Sequence, residues 1–297
     1  MPIEEILKFY KQTSSYTDLG YYKEFAKKLP DDIETLCVLQ RMQIIHPVVF
    51  RDRNIRNKKE CFWGNMTKVP ITRLRYEDDI FPTAQSVIAE LLRKNPNYSV
   101  KREAKDKVHV TCRGQAILLA SILKAKQIPA RVRSGFAEYI RYDGIGYDHW
   151  ITEYYNEKQN RWILVDADEH CPAHEMGFDL NDIPQDKFLF GAKAYLGLRE
   201  KVYKEETIVY SSDPVTIGLK AAIRGIFYDF HSLMNNEIIF LHIPKYIQDK
   251  NFELSKQEYA ELDNLARLML NPDKNFEELQ NIWKNTSKFS IMSGALN

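Results

Sequence analysis

Thr111-Cys112-Arg113-Gly114-Gln115 opens the stretch, residues 111–166, that decides the fold of this chain. Apolar side chains then recur at helical spacing, at Ala116, Leu119, Ala120 and Leu123. This spacing predicts a buried helix from Cys112 to about Lys126, with Thr111 as its N-cap. The thiol of Cys112 would lie in the first helical turn, where backbone N–H groups and the helix dipole favour a thiolate. The same N–H groups can hold a developing oxyanion.

Extended segments follow this helix. Residues 130–140 alternate as a strand does, and Gly135 within them indicates a bulge or a close backbone approach. Residues 149–155 and 161–167 are rich in aromatic and β-branched side chains, which is typical of strands. Residues 156–159 between them fit a four-residue hairpin loop. We therefore expect a small antiparallel sheet beside the helix.

The predicted hairpin brings two further polar residues together. Its register pairs Tyr155 with Asn160, Ile151 with Leu164, and His149 with Asp166. Directly opposed side chains have Cβ atoms roughly 4.5–5.5 Å apart. Asp166 could then accept a hydrogen bond from one imidazole nitrogen of His149 and leave the other nitrogen for the thiol of Cys112. A slip of one residue would put the two side chains on opposite faces.

Four motifs occur in a fixed order along this stretch. They are Cys112-Arg113-Gly114 before an apolar helix, Ile128-Pro129-Ala130-Arg131, His149-Trp150, and Trp162-Ile163-Leu164-Val165-Asp166. Together they closely resemble the transglutaminase-like superfamily of papain-like Cys-His-Asp enzymes, over about residues 76–190. The surrounding segments, Arg75-Tyr76-Glu77-Asp78-Asp79 among them, look like a bacterial branch of it.

The resemblance implies Cys112 as nucleophile, His149 as base and Asp166 as orienter. It implies a cysteine-dependent acyl transfer through a thioester, by hydrolysis as in an amidase or protease, or by transfer to an amine as in a transglutaminase. Glutamine cross-linking is not implied, because the superfamily also holds proteases, peptide N-glycanases and amide-forming enzymes. The alternative is a catalytically inactive binding module with the same fold.

Other residues are candidates for the substrate site. Predicted substrate-binding residues are Trp63, Gln43, Asp168 and Trp150, and Trp63 and Gln43 are also candidates for a second oxyanion donor. A rival metal site is conceivable because Asp168, Glu169, His170, Cys171, His174 and Glu175 are all ligand types. Pro172 argues against one helical face for His170 and His174, since proline is tolerated only in a first turn. We expect a loop beside the cleft, and neither metal nor cofactor, because a thiolate supplies the nucleophile.

Composition narrows the function classes. The chain has 297 residues, 44% of them hydrophobic and 28% charged, with a net charge of +1. This balance gives no reason to expect a nucleic-acid partner, and no apolar run reaches the roughly 18 residues of a membrane span. The expected partner is a peptide, a protein or a small amide or acyl substrate, in a cytoplasmic protein whose four scattered cysteines stay reduced.

The expected fold class is α+β, a papain- or transglutaminase-like core with a central helix on a small antiparallel sheet and additional N- and C-terminal helices. The expected organisation is an N-terminal helical segment (1–75), the catalytic core (76–190) and a C-terminal helical segment (191–297). Predicted helix starts outside the core are Thr83, Asp213-Pro214 and the capping box Ser255-Lys256-Gln257-Glu258.

Overall fold

The computed structural model describes residues 1–141, 143–168, 177–210, 216–239 and 242–291. The helices in these ranges are α1 (Ile3–Lys11), α2 (Lys23–Lys27), α3 (Ile33–Arg41), α4 (Arg53–Arg56), α5 (Ala84–Lys94), α6 (Cys112–Ala125), α7 (Gly191–Arg199), α8 (Gly218–Leu233), α9 (Lys245–Asp249), α10 (Lys256–Met269) and α11 (Phe276–Asn285). The strands are β1 (Ala130–Ala137), β2 (Gly146–Asn156), β3 (Arg161–Val165), β4 (Phe188–Phe190) and β5 (Ile208–Val209). The predicted α+β class is confirmed.

Helix α6 forms where the sequence predicts it. It begins at Cys112, has Thr111 as its N-cap residue, and is buried along its whole length. A Cβ added to Gly114 would lie 2.7 Å from the side chain of Val110. Gly114 therefore allows the preceding segment to pack directly against the first turn of α6.

Predicted caps elsewhere are also observed. Thr83 caps α5 in a reciprocal box with Ser86, and Ser255 caps α10 in a box with Glu258. In each box two backbone N–H groups that a helix leaves unsatisfied gain side-chain acceptors. Helix α8 begins at Gly218, after the extended N-cap residue Ile217, so the prediction that this helix starts at Asp213-Pro214 is wrong; Asp213 and Pro214 themselves lie outside the described residues.

The chain divides into two compact units. Unit 1 contains residues 1–10, 131–150 and 184–297, and unit 2 contains residues 11–130 and 151–183. The division into segments 1–75, 76–190 and 191–297 stays a prediction.

In unit 2, the second part of β2 pairs with β3, and the predicted register is wrong by two residues. The observed pairs are Thr152 with Val165, Glu153 with Leu164, Tyr154 with Ile163, Tyr155 with Trp162, and Asn156 with Arg161. Leu164 thus faces Glu153 and not Ile151. The loop has the predicted four residues but is 157–160, one position later than predicted, which shifts every pair by two positions.

In unit 1, β1 pairs antiparallel with β4, and the first part of β2 pairs with β5. The β2–β5 pair is parallel. The expectation of a purely antiparallel sheet is therefore wrong at this pair. Gly135 lies where β4 approaches, and a Cβ at this position would lie 2.3 Å from the carbonyl oxygen of Leu189. The close backbone approach predicted for Gly135 is therefore confirmed.

A buried ion pair lies in the core of unit 1. Arg133 of β1 donates to both carboxylate oxygens of Asp229 on α8, at 2.8 and 2.9 Å. The backbone N–H of Ser134 adds a third hydrogen bond to Asp229, and the guanidinium lies 4.0 Å from the centre of the Phe190 ring. Arg133 and Asp229 are 3% and 0% exposed, so each of these buried charges is compensated by the other.

In unit 2, two carboxylates hold the segment that leads into α6. Glu77 accepts two hydrogen bonds from the guanidinium of Arg73 and one from the backbone N–H of His109. Asp78 accepts from the backbone N–H of Thr111 at 3.0 Å and from its hydroxyl at 2.7 Å. Burial raises the pKa of Asp78. These bonds fix the backbone immediately before Cys112.

Among the described residues, no helix is both long enough and apolar enough to cross a lipid bilayer.

Candidate active site

Cys112 is the first residue of α6 and is 7% exposed. The hydroxyl of its N-cap residue, Thr111, donates to Asp78 and does not cap the helix. The first N–H groups of an α-helix have no acceptor within the helix. The thiol therefore lies beside backbone donors, where the helix dipole favours negative charge.

Two other polar side chains of unit 2 lie close to the thiol. One ligand atom each from His46, Cys112 and Asp168 lie within 4.8 Å of one another. Cys112 and Asp168 are buried, and the side chain of His46 is 12% exposed. A buried nucleophile, an imidazole and a carboxylate at such spacing are typical of a reactive site.

His46 reaches this position through a short backbone pairing. The N–H of Ile45 donates to the carbonyl oxygen of Val108 at 2.9 Å, and the N–H of Val108 donates to that of Gln43 at 3.2 Å. The segment before His46 thus runs alongside the segment that leads to Cys112. From the sequence alone, His46 is interpreted as a polar residue near a helix end, with the alternative that His46 or Gln43 lines the cleft, since no local pattern shows which distant segment pairs with residues 43–45.

Asp168 is held in place by two neighbours. Its Oδ1 accepts a hydrogen bond of 2.5 Å from the side-chain amide of Gln115, one turn after Cys112 on α6. Its backbone N–H donates to Oδ1 of Asp166 at 2.8 Å, and its Oδ2 lies 3.7 Å from Nε2 of His46. The predicted substrate residue Asp168 therefore lies beside the thiol, although substrate contact stays a prediction.

Asp166 follows the last residue of β3 and is 1% exposed. Its backbone N–H donates to the carbonyl oxygen of Leu180 at 2.9 Å, and its own carbonyl oxygen accepts from the guanidinium of Arg41 at 3.0 Å. Both backbone groups are therefore fixed within unit 2, and with them the position of the carboxylate.

His149 lies in the part of β2 that belongs to unit 1 and is 1% exposed. Its ring centre is 6.1 Å from that of Tyr139, in an edge-to-face arrangement. Trp150 is also buried and packs 5.4 Å from the ring of Tyr228. The register that placed His149 opposite Asp166 is not the observed one, so the triad of Cys112, His149 and Asp166 stays a prediction carried by the resemblance.

Gln43 and Trp63, the two candidates for a second oxyanion donor, lie in different surroundings. The amide of Gln43 is buried: it donates to the carbonyl oxygens of Leu39 and Ser99 and accepts from Arg102. Substrate binding by Gln43 stays a prediction, and it would require one of these bonds to break. Trp63 is partly buried against an apolar cluster and lines a cavity of about 340 Å³ in unit 2.

Two groups of residues have side chains of the types that bind metals. His46, Cys112 and Asp168 have the chemical types that bind zinc. The sequence-derived candidates Glu169, His170, Cys171, His174 and Glu175 lie outside the described residues.

A match to a family model agrees with the residue pattern. The family model of the transglutaminase-like superfamily matches residues 77–167. One similar solved structure is described as "a Putative Cysteine Protease from Cytophaga hutchinsonii", with 15% identity and a TM-score of 0.33 over 63% of this chain and 47% of that chain. The chain thus spans about half the length of that protein. No curated protein matches the chain at a significant level.

The matched segment contains α6 with Cys112 at its start, the strands β1, β2 and β3, and all three residues of the predicted triad. Residues 77–167 are thus similar to the transglutaminase-like superfamily, and this match supports cysteine-based catalysis in general.

Proposed function

We propose that the protein transfers acyl groups through a thioester on Cys112, with His149 as general base and Asp166 as the residue that orients His149. The observation that carries this proposal is the position of Cys112 at the start of α6, within the segment that matches the superfamily. A thiol at a helix N-terminus has the electrostatic surroundings that favour a nucleophilic thiolate.

The reaction has two halves. The sulfur of Cys112 attacks the carbonyl carbon of an amide or another acyl compound, and the carbonyl electron pair moves to oxygen. When this intermediate collapses, the bond to the leaving group breaks, and His149 returns to the leaving amine the proton that it took from the thiol. Water or a second amine then attacks the thioester, loses a proton to His149 and releases Cys112.

The acceptor defines the reaction subtype. Water gives an amidase or a protease, and an amine gives a transferase. The proposed substrate is a peptide, a protein or a small amide or acyl compound, because each offers an acyl carbon to the thiolate. Specificity is determined by the loops around the site.

An acyl-enzyme can be trapped with a reactive ester whose recognition needs no specificity loop. We expect 4-nitrophenyl acetate to release 4-nitrophenolate in a burst and to leave an acetyl group on Cys112, located by peptide mass spectrometry. Cys61→Ala is the matched control, since Cys61 is a partly exposed thiol elsewhere in unit 2. Its burst should equal that of the wild type, whereas the absence of a Cys112 adduct in the wild type would contradict the proposal.

Iodoacetamide labelling against pH separates an enzyme from an inactive binding module. A free thiol titrates near pH 8.5, and an activated thiol reacts at a lower pH. We expect a midpoint well below that value, shifted upwards in His149→Ala. A midpoint near 8.5 that His149→Ala leaves unchanged would favour the binding module.

A further inference from the structure

Acyl transfer at Cys112 creates a negative charge on the carbonyl oxygen of the substrate, and this charge needs hydrogen-bond donors aimed at it. The backbone N–H of Cys112, in the first turn of α6, is one such donor. We propose that the second donor is the Nε2–H group of His46. This inference rests on the proposed function, since it assigns a further catalytic residue to the same reaction.

The hydrogen bonding of the His46 ring determines which nitrogen carries the proton. His46 is the N-cap of a short 3-10 helix, and its Nδ1 accepts a hydrogen bond of 3.2 Å from the backbone N–H of Val48. A ring nitrogen that accepts a hydrogen bond has no proton, so in the neutral imidazole the proton is on Nε2. In the imidazolium both nitrogens carry protons. Nε2 is therefore a donor in either charge state.

The position of this donor fits the role. Nε2 of His46 is on the side of the ring that faces the carboxylate of Asp168, at 3.7 Å, and the two residues form one cluster with the sulfur of Cys112. The limit of 4.8 Å on the distances within this cluster is compatible with a sulfur-bound carbon whose oxygen accepts from Nε2. The side chain of His46 is 12% exposed, so it is not fully closed off from solvent.

Asp168 makes such a donor necessary. Gln115 fixes one oxygen of this carboxylate at 2.5 Å, which keeps it beside the thiol. A carboxylate at this distance repels a second negative charge. A proton-bearing group next to the developing oxyanion offsets that repulsion, and His46 is the member of the cluster that supplies one.

The same ring geometry argues against two other roles for His46. Nε2 cannot take the proton of the thiol, because it already carries one, so the role of base is left to His149. Nε2 also cannot bind a metal ion while it is protonated. A histidine that binds a metal donates its other N–H to an acceptor, whereas Nδ1 of His46 accepts from Val48.

Two reagents separate stabilisation of an oxyanion from general reactivity of the thiol. Acetylation of Cys112 by 4-nitrophenyl acetate passes through an oxyanion, and alkylation by iodoacetamide does not. We expect His46→Phe to slow acetylation by about 10²-fold, the usual effect of losing one such donor, with alkylation changed less than threefold. His46→Gln keeps an N–H donor and should recover part of the acetylation rate. His242→Phe, at an exposed position in unit 1, is the matched control and should behave as the wild type.

The outcomes distinguish this inference from the proposed function. If the wild type forms no acetyl-Cys112, the proposed function fails. If the wild type is acetylated and His46→Phe slows both reagents equally, or neither, the role of His46 as donor is contradicted. If His46→Phe only lowered thermal stability, it would not slow acetylation much more than alkylation.

Two measurements test the ring without relying on a substitution at His46. Long-range ¹H–¹⁵N correlation spectra of the wild type should show Nδ1 of His46 unprotonated and Nε2 protonated at neutral pH, and the opposite tautomer would overturn the inference. Titration with Zn²⁺ should give the same binding in the wild type and in His46→Gln. Stoichiometric zinc binding that is lost in His46→Gln would instead indicate a metal site.

Discussion

Two of the places where the described part of this molecule buries groups that can carry charge do so in different ways. In unit 1, Arg133 and Asp229 have opposite charges, parallel hydrogen bonds and an aromatic ring against the guanidinium. In unit 2, ligand atoms of His46, Cys112 and Asp168 lie within 4.8 Å of one another at the start of α6, and Nε2 of His46 is 3.7 Å from Oδ2 of Asp168. The Arg133–Asp229 pair is expected to stabilise the fold, whereas the unit 2 cluster contains the proposed nucleophile. Changes at the two places should therefore separate stability from chemistry.

Removal of the sulfur should have the largest effect. We expect Cys112→Ala to abolish the burst of acetylation by 4-nitrophenyl acetate, a loss of at least about 10³-fold, because the proposed thioester forms on the sulfur of Cys112. Its free energy of unfolding in urea should change by less than about 1 kcal/mol, since only one buried sulfur atom is lost. Acetylation that persists in this variant would place the nucleophile elsewhere.

Removal of the Asp229 carboxylate in unit 1 should lower stability and leave the acetylation rate unchanged. Asp229→Asn leaves the buried guanidinium of Arg133 without its counter-charge, and a change of this kind costs about 3–5 kcal/mol of stability. Urea unfolding measures this loss. Acetylation per folded molecule should remain close to the wild-type rate. A variant that unfolds as the wild type does would show that the pair contributes little.

Each unit contains a buried histidine that should make the stability of the protein depend on pH. Burial lowers the pKa of His109 in unit 2 and of His231 in unit 1 to about 4. Since the unfolded chain binds protons near pH 6.5 and the folded chain only near pH 4, each histidine stabilises the fold above pH 6.5. This contribution, on the order of 3 kcal/mol per histidine, is lost as the pH falls from 6.5 to 4.

Urea unfolding at several pH values between 7 and 4 tests this prediction. Carboxylates also titrate in this range, so the informative quantity is the difference between the wild type and each of His109→Gln and His231→Gln. The wild type should lose more stability than either variant as the pH falls. Parallel curves for all three proteins would mean that neither histidine is responsible.

The smallest effect should come from the glycine beside the nucleophile. A Cβ at Gly114 would lie 2.7 Å from the side chain of Val110, and such overpacking costs about 1–3 kcal/mol. The better helix propensity of alanine offsets about 1 kcal/mol of this. We expect Gly114→Ala to be slightly less stable in urea and to recover in the double variant Gly114→Ala, Val110→Ala. A single variant that is more stable than the wild type would show that Val110 moves freely.

Much of the fold could be predicted because the signals are local. The apolar stripe of α6, the boxes at Thr83 and Ser255 and the small size needed at Gly135 all depend on residues close in sequence or on one backbone contact. The register of β2 and β3 depends on where the loop begins. Asn160 has a φ of 51°, a conformation that asparagine tolerates better than most residues, so its identity was the available signal for a loop that ends at residue 160.

The candidate site was only partly predictable, for a related reason. Cys112 and Asp168 were selected from their own surroundings in the sequence. His46 was only an alternative candidate for the cleft, because it reaches the site through the pairing of residues 43–45 with Val108, which are far apart along the chain. The apolar, strand-like character of Ile44-Ile45 and of Val108 was the one hint, and it does not determine a partner.

The bonds between Asp78 and Thr111 have a consequence for the evolution and the engineering of this protein. The hydroxyl and the N–H of Thr111 both donate to the carboxylate of Asp78. A substitution at either position therefore removes hydrogen-bond partners of the residue at the other position. Combinatorial libraries that vary residues 77–79 should therefore vary position 111 at the same time. Among surviving sequences, the two positions should change together more often than chance allows.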